Sequence, residues 1–228
     1  MSPMRPVVSA LGLVRARLKR GQLVIMSLIL AAAQSKSVPG EVSQNVENHL
    51  RLARVAAERG VQLIVFPELS LTGYELALAH DHTVRPDSVE LNPLRRLAAD
   101  ARITIVVGGP LRTEEGQLHI TAFALRPDGS VLTYTKVHVH QSEQHVFTSG
   151  PGGPTLRVED ATIGLAICAD ASFPEHAAKA AAAGADVYAA GVMITDDAYA
   201  RKTALLKNYA LEHKMAVLMA NYSGESGG

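Results

Sequence analysis

The chain has 228 residues, of which 47% are hydrophobic and 19% charged, enough for one sizeable domain with a buried core. Its 22 Lys and Arg balance its 22 Asp and Glu. This zero formal charge argues against nucleic acid or an anionic membrane surface as the main partner, because both require a basic face. The single cysteine excludes an internal disulfide and a multi-thiolate metal site.

The N-terminal region admits two interpretations. Basic residues at positions 15–20 precede the apolar run 23–33, a combination seen in secretory signals, although the run is too short to span a bilayer. Its aliphatic content favours a buried first strand instead. On that interpretation residues 1–25 are an appended extension, Met26 is a candidate natural start, and residues 26–228 form one cytoplasmic domain.

Strands and helices alternate along the rest of the chain. Apolar residues three or four apart, as at Val42, Val46 and Leu50, mark helices, whereas unbroken apolar runs mark buried strands. Pro127-Asp128-Gly129 indicates the turn of a hairpin, so we expect an α/β domain with a mixed sheet. The predicted helices are 42–57, 91–101, 174–183 and 198–213, and the predicted strands are 61–66, 103–107, 118–125, 131–139, 162–167, 187–193 and 215–220.

Cys168 is a candidate nucleophile because of where it falls in this pattern. It follows the predicted strand 162–167 and precedes a helix that begins near Pro174. A thiol at such a corner lies at the sheet edge, where the N–H groups of a helix N-terminus lower its pKa and can bind an oxyanion. A small buried hydrophobe is an equally good interpretation of a lone cysteine.

Two charged residues occupy comparable positions. Glu68 directly follows an apolar strand, where partial burial would raise its pKa toward that of a general base, although a turn carboxylate explains it as well. Lys136 lies inside the predicted strand 131–139. Such a lysine normally points to solvent, and if it points inward it requires a carboxylate partner or an anionic ligand.

Other patterns predict less. His138 and His140, like His80 and His82, have the spacing of a metal half-site, but no carboxylates stand at defined spacing from them. We therefore expect hydrogen-bonded or surface histidines and no metal. The segment 150–154 lacks the Lys-Ser/Thr ending of a phosphate loop and is interpreted as a turn.

Three segments in order along the chain resemble the motifs of the nitrilase, or carbon–nitrogen hydrolase, superfamily. They are VFPELSLTGY at 65–74, YTKVHV at 134–139 and GLAICADASFPE at 164–175. Gln34 and Asn221 extend the similarity, which covers residue 27 to the end.

The resemblance implies a four-layer α-β-β-α sandwich that forms a homodimer or a higher homo-oligomer and needs no cofactor or metal. Carried onto this sequence, it makes Cys168 the nucleophile, Glu68 the general base and Lys136 the cation. The backbone N–H of Ala169 would share the oxyanion with the lysine. Glu143 lies where the family often has a second glutamate that positions substrate, and a surface role for it stays open.

The residues after the cysteine bear on the reaction. In the resembled family, true nitrilases usually have Trp-Glu after the cysteine, so Cys168-Ala169-Asp170 favours amides over nitriles as substrates. We expect Asp170 to brace the corner through backbone hydrogen bonds. The implied function is hydrolysis of a small linear amide or carbamoyl compound through a thioester. Acyl transfer, glutamine hydrolysis and a non-catalytic member that binds a metabolite or partner chain remain alternatives. Compared with the family, the sequence is expected to lack the last strands.

Overall fold

The computed structural model describes residues 10–20 and 24–224, which form ten strands and four α-helices. The strands are β1 (Ala10–Arg20), β2 (Val24–Gln34), β3 (Leu63–Val65), β4 (Thr104–Arg112), β5 (Leu118–Leu125), β6 (Val131–Thr135), β7 (Leu156–Val158), β8 (Ala161–Ile167), β9 (Val187–Gly191) and β10 (Ala216–Ala220). The helices are α1 (Val42–Glu58), α2 (Asn92–Asp100), α3 (Pro174–Ala182) and α4 (Asp196–His213). None of the helices in these ranges is long and apolar enough to cross a membrane.

The strands form two mixed sheets. The first has the order β1-β2-β3-β4-β5-β6, with β2, β3 and β4 parallel and β1 and β5 antiparallel to their neighbours. Because β6 is antiparallel to β5, it runs in the same direction as β3. The second sheet has the order β10-β9-β8-β7, in which β8, β9 and β10 are parallel. A parallel bridge between Ser35 and Tyr222 joins the sheets where β2 and β10 end.

The period of two along each strand divides the core into layers. Leu63 and Val65 of β3 face the second sheet in a core shared by both sheets, whereas Ile64 faces α1 and α2 in another. A third core lies between the second sheet and helices α3 and α4, around Tyr188 and Tyr209. The order helix, sheet, sheet, helix confirms the predicted four-layer sandwich.

Several predicted bounds were wrong. The strand predicted over 131–139 ends at Thr135, because the N–H groups of Val137 and His138 are taken by the side chain of Asp170 instead of a neighbouring strand. Residues 10–20, which were assigned to the extension 1–25, form β1 and pair with β2 along their whole length; the domain bounds themselves stay a prediction. The short strand β7 was not predicted.

Candidate active site

The expected catalytic side chains follow three strands that point the same way. Glu68 comes three residues after β3, Lys136 directly after β6 and Cys168 directly after β8. Since β3 and β6 run parallel in one sheet, their carboxyl ends meet at one edge, where α/β proteins place their sites. Lys136 is thus at the end of its strand, not inside it as predicted, and its backbone N–H still donates to Ile120 at 2.8 Å.

Two glycines bring neighbouring strands close to the segment that carries Glu68. A Cβ on Gly108 of β4 would lie 2.5 Å from the Leu69 nitrogen and 2.8 Å from the Pro67 oxygen. A Cβ on Gly191 of β9 would lie 2.6 Å from the Phe66 oxygen. Leu69 itself has a positive φ of 51°, which is uncommon for a residue with a side chain. The glutamate is therefore held in a turn that is fixed from both sheets.

Glu68, Lys136 and Glu143 form a buried ionic cluster. The Lys136 Nζ lies 2.6 Å from Glu68 Oε1 and 2.8 and 2.7 Å from the two carboxylate oxygens of Glu143, and all three side chains are inaccessible to solvent. Glu143 also accepts hydrogen bonds from the Tyr74 hydroxyl at 2.7 Å and from the His140 N–H at 2.8 Å. The surface role left open for Glu143 is wrong, because its side chain is fully buried against the Lys136 ammonium.

Burial controls the protonation of this cluster. It raises the pKa of the Glu68 carboxyl to about 7, against the opposing charge of Lys136 and with the help of the like charge of Glu143. Burial would lower the pKa of Lys136, but attraction to Glu68, Cys168 and Glu143 outweighs it and raises that pKa above its usual range. The Oε2 atom of Glu68 has no hydrogen-bond partner among the described residues. At neutral pH the site thus holds a permanent ammonium and a carboxylate able to take a proton.

Cys168 sits at a strained corner beside this cluster. Its φ is +41°, a conformation that costs free energy for a residue with a side chain and is concentrated at functional sites. The residue is partly exposed, and its thiol donates to the Met193 carbonyl at 3.4 Å. Burial and the charge of Glu68 raise the pKa of the thiol above its ordinary value. The expected lowering by a helix N-terminus is therefore wrong, and the resting thiol keeps its proton.

The contacts of Asp170 and of two histidines bear on the other residues singled out in the sequence. Asp170 accepts a bond from the Ile167 N–H at 3.1 Å and braces the corner as predicted. His138 contacts Asp170 at 3.1 Å and His140 contacts Ser142 at 2.8 Å. Within 10–20 and 24–224, no group of three or more His, Cys, Asp or Glu side chains could hold a metal ion.

Sequence reasoning missed two parts of the site. Tyr74 is the last residue of the first motif and was given no role, yet its hydroxyl donates to Glu143, 69 residues away along the chain. The Met193 carbonyl that accepts from the thiol is 25 residues from Cys168. Neither contact has a signal in the sequence, because both are set by how loops from different strands meet.

Comparison with known proteins agrees with this architecture. The family model described as carbon–nitrogen hydrolase matches residues 29–228, and the chain belongs to that family. The resemblance to the nitrilase superfamily is thus confirmed. A nitrilase from Pyrococcus abyssi is 30% identical over 195 residues, which are 82% of this chain and 72% of the nitrilase.

The similar solved structures include an amidase from Nesterenkonia sp. AN1. A mutant of that amidase in complex with butyramide is 29% identical and superimposes with a TM-score of 0.77 over 86% of this chain and 76% of the amidase. A second structure, which shows Michael addition of acrylamide at the active-site cysteine of the amidase, is 30% identical with a TM-score of 0.76, covering 86% and 78% of the two chains.

Proposed function

We propose that this carbon–nitrogen hydrolase cleaves a small linear amide or carbamoyl compound through a thioester on Cys168. The observation that carries the proposal is the juxtaposition of a buried ammonium, a carboxylate whose pKa is raised to about 7, and the single thiol of the chain. The likeness to an amidase described in complex with butyramide supports an amide substrate.

In the first half of the reaction, the thiol attacks the amide carbonyl carbon. Glu68 takes the thiol proton as the sulfur–carbon bond forms, and the carbonyl oxygen becomes an oxyanion. The Lys136 ammonium and the Ala169 N–H stabilise this oxyanion in a site largely closed to water. Glu68 then gives its proton to the nitrogen, the carbon–nitrogen bond breaks, and ammonia or an amine leaves a thioester on Cys168.

In the second half, water replaces the amine. Glu68 takes a proton from the water as its oxygen attacks the thioester carbon, again forming an oxyanion beside Lys136. The sulfur–carbon bond breaks, Glu68 returns its proton to the sulfur, and the acid departs.

The test is release of ammonia from short aliphatic amides, carbamoyl amino acids and glutamine. We expect turnover of at least one of these classes, and a loss of about 10³-fold or more in Cys168→Ala with its fold retained. Hydroxylamine added to the assay would give a hydroxamate if the thioester is transferred to other nucleophiles.

Two results would contradict the proposal. Full turnover by Cys168→Ala would remove the nucleophile from the mechanism. Absence of ammonia from every one of these substrate classes would favour a member of the family that only binds its ligand.

A further inference from the structure

The carboxylate of Asp170 connects the segment that carries Lys136 with the segment that carries Cys168. It is fully buried, and described residues donate five hydrogen bonds to it. The donors are the Val137 N–H (3.2 Å), the His138 N–H (2.8 Å) and the His138 Nδ1 (3.1 Å) on Oδ1, and the Tyr134 hydroxyl (2.9 Å) and the Ile167 N–H (3.1 Å) on Oδ2.

The two oxygens of the Asp170 carboxylate bind different segments of the chain. Oδ1 binds only the chain that follows Lys136, where the ladder of β6 has ended. Oδ2 binds Ile167, the residue before the cysteine, and Tyr134, two residues before the lysine. One rigid carboxylate therefore sets the separation of the two backbones and closes the corner at which Cys168 has its positive φ.

A second group of side chains fixes the orientation of this carboxylate. Because the Tyr134 hydroxyl donates to Asp170, it accepts from His176 Nε2, 2.7 Å away. The Nδ1 of the same ring lies 2.8 Å from the hydroxyl of Tyr188, within hydrogen-bond distance. Burial lowers the pKa of that ring, which favours the neutral form in which Nδ1 accepts. This chain of bonds ties Asp170 to both α3 and β9.

We propose that Asp170 is a positioning residue that holds the Lys136 ammonium and the Cys168 sulfur at the separation the thioester chemistry needs, with Tyr134 and His176 fixing its orientation. It does not touch substrate and acts only through the two backbones. This inference rests on the proposed function, since it gives the lysine and the cysteine one joint task. Displacements of about 1 Å at such sites cost on the order of 10²-fold in rate.

The decisive variant is Asp170→Asn, which keeps the shape but presents an NH₂ group to the donors on one side. We expect kcat for the best amide to fall about 100-fold while KM stays within about 3-fold, because the substrate contacts remain. The rate of iodoacetamide labelling of Cys168, the single cysteine, should change at least about 5-fold, since the thiol would no longer face the same charges. The matched control is Asp160→Asn, an exposed aspartate before β8, which should change neither rate.

Tyr134→Phe keeps the proposal testable if Asp170→Asn does not fold. It removes one donor and leaves the three backbone bonds, so we expect kcat to fall about 5-fold at unchanged KM. A folded Asp170→Asn with kcat and labelling rate within about 2-fold of the parent would overturn the inference, as would an unchanged kcat in Tyr134→Phe. If the parent cleaves no amide, the proposed function fails, and the labelling rates alone still decide whether Asp170 positions the thiol.

Discussion

The second carboxylate of the ionic cluster gives a prediction about pH. In Glu143→Gln the negative charge that opposes ionisation of Glu68 disappears, while Lys136 remains bonded to Glu68. Both effects favour the ionised form of Glu68. The pKa of Glu68 should therefore move down from about 7, and the acidic limb of the rate profile should move with it.

The size of the shift follows from the geometry. Both carboxylates contact the same Nζ, at 2.6 Å and 2.8 Å, so the bonded oxygens are no more than about 5.4 Å apart. At an effective dielectric constant of about 20, two like charges at that distance repel by about 3 kcal/mol, or about 2 pKa units. The base of Glu143→Gln should then titrate near the ordinary range of a glutamic acid.

The assay is kcat/KM against pH between about pH 4 and pH 9 on the best amide, because this ratio reports groups of the free enzyme. In Glu143→Gln the side-chain NH₂ group must face hydrogen-bond donors that now bond to the carboxylate, so the maximum kcat/KM should fall. The pH at which the acidic limb lies does not depend on that maximum. Tyr74→Phe, which removes a hydrogen bond to Glu143 and keeps both charges, should leave the limb within about 0.5 unit. The exposed Glu114→Gln is a second control. A limb that stays in place or moves upward in Glu143→Gln would refute the electrostatic reasoning.

Two further predictions concern stability and the fit of the glutamate turn. His49 is buried in α1 against Phe66, and burial lowers its pKa from 6.5 to about 3, so the folded state resists a proton that the unfolded state takes up below pH 6.5. Between pH 8 and pH 4.5 the free energy of unfolding, measured with urea, should therefore fall by about 2.7 kcal/mol more in the parent than in His49→Leu, and the exposed His145→Leu should follow the parent. Equal changes in all three would contradict this. Gly108→Ala should lower kcat about 10-fold or more by displacing the turn around Glu68. Gly109→Ala, whose Cβ has no neighbour closer than 3.4 Å, should keep kcat within about 2-fold. Similar kinetics for the two variants would show that the close approach at Gly108 is unimportant.

The layers of the fold could be predicted because the sequence carries their periodicity. The runs around Leu63–Val65 and Ala161–Ile167 are apolar on both faces, which indicates strands covered on both sides, and α1 shows its buried stripe directly. The alternation of Val14, Ala16 and Leu18 with charged residues was an available signal for β1 that the interpretation of an extension passed over. The three residues of β7 are too few to show any period.

The site could be predicted in its residue types but not in its contacts. The motifs identified Glu68, Lys136 and Cys168 as candidates, and parallel strand direction explains why Glu68 and Lys136 lie at one edge of the first sheet. The direction of the thiol pKa was wrong because a helix N-terminus can be recognised in a sequence, whereas burial beside Glu68 cannot. The end of β6 at Thr135 was missed for a similar reason, since it depends on Asp170, more than 30 residues away.

The two carboxylates on one lysine have a physical explanation in the proposed reaction. When Glu68 is ionised, the buried cluster of Glu68, Lys136 and Glu143 carries one net negative charge beside a neutral thiol. When Glu68 takes the thiol proton, its negative charge passes to the sulfur and then to the oxyanion, so the total charge of the desolvated site does not change during the step. If Glu68 were the sole partner of Lys136, the lysine would then face only the transient charge on the sulfur or the oxyanion. Glu143, held by Tyr74 and by the His140 N–H, keeps the lysine paired throughout, and the ammonium can stabilise the oxyanion without giving up its proton.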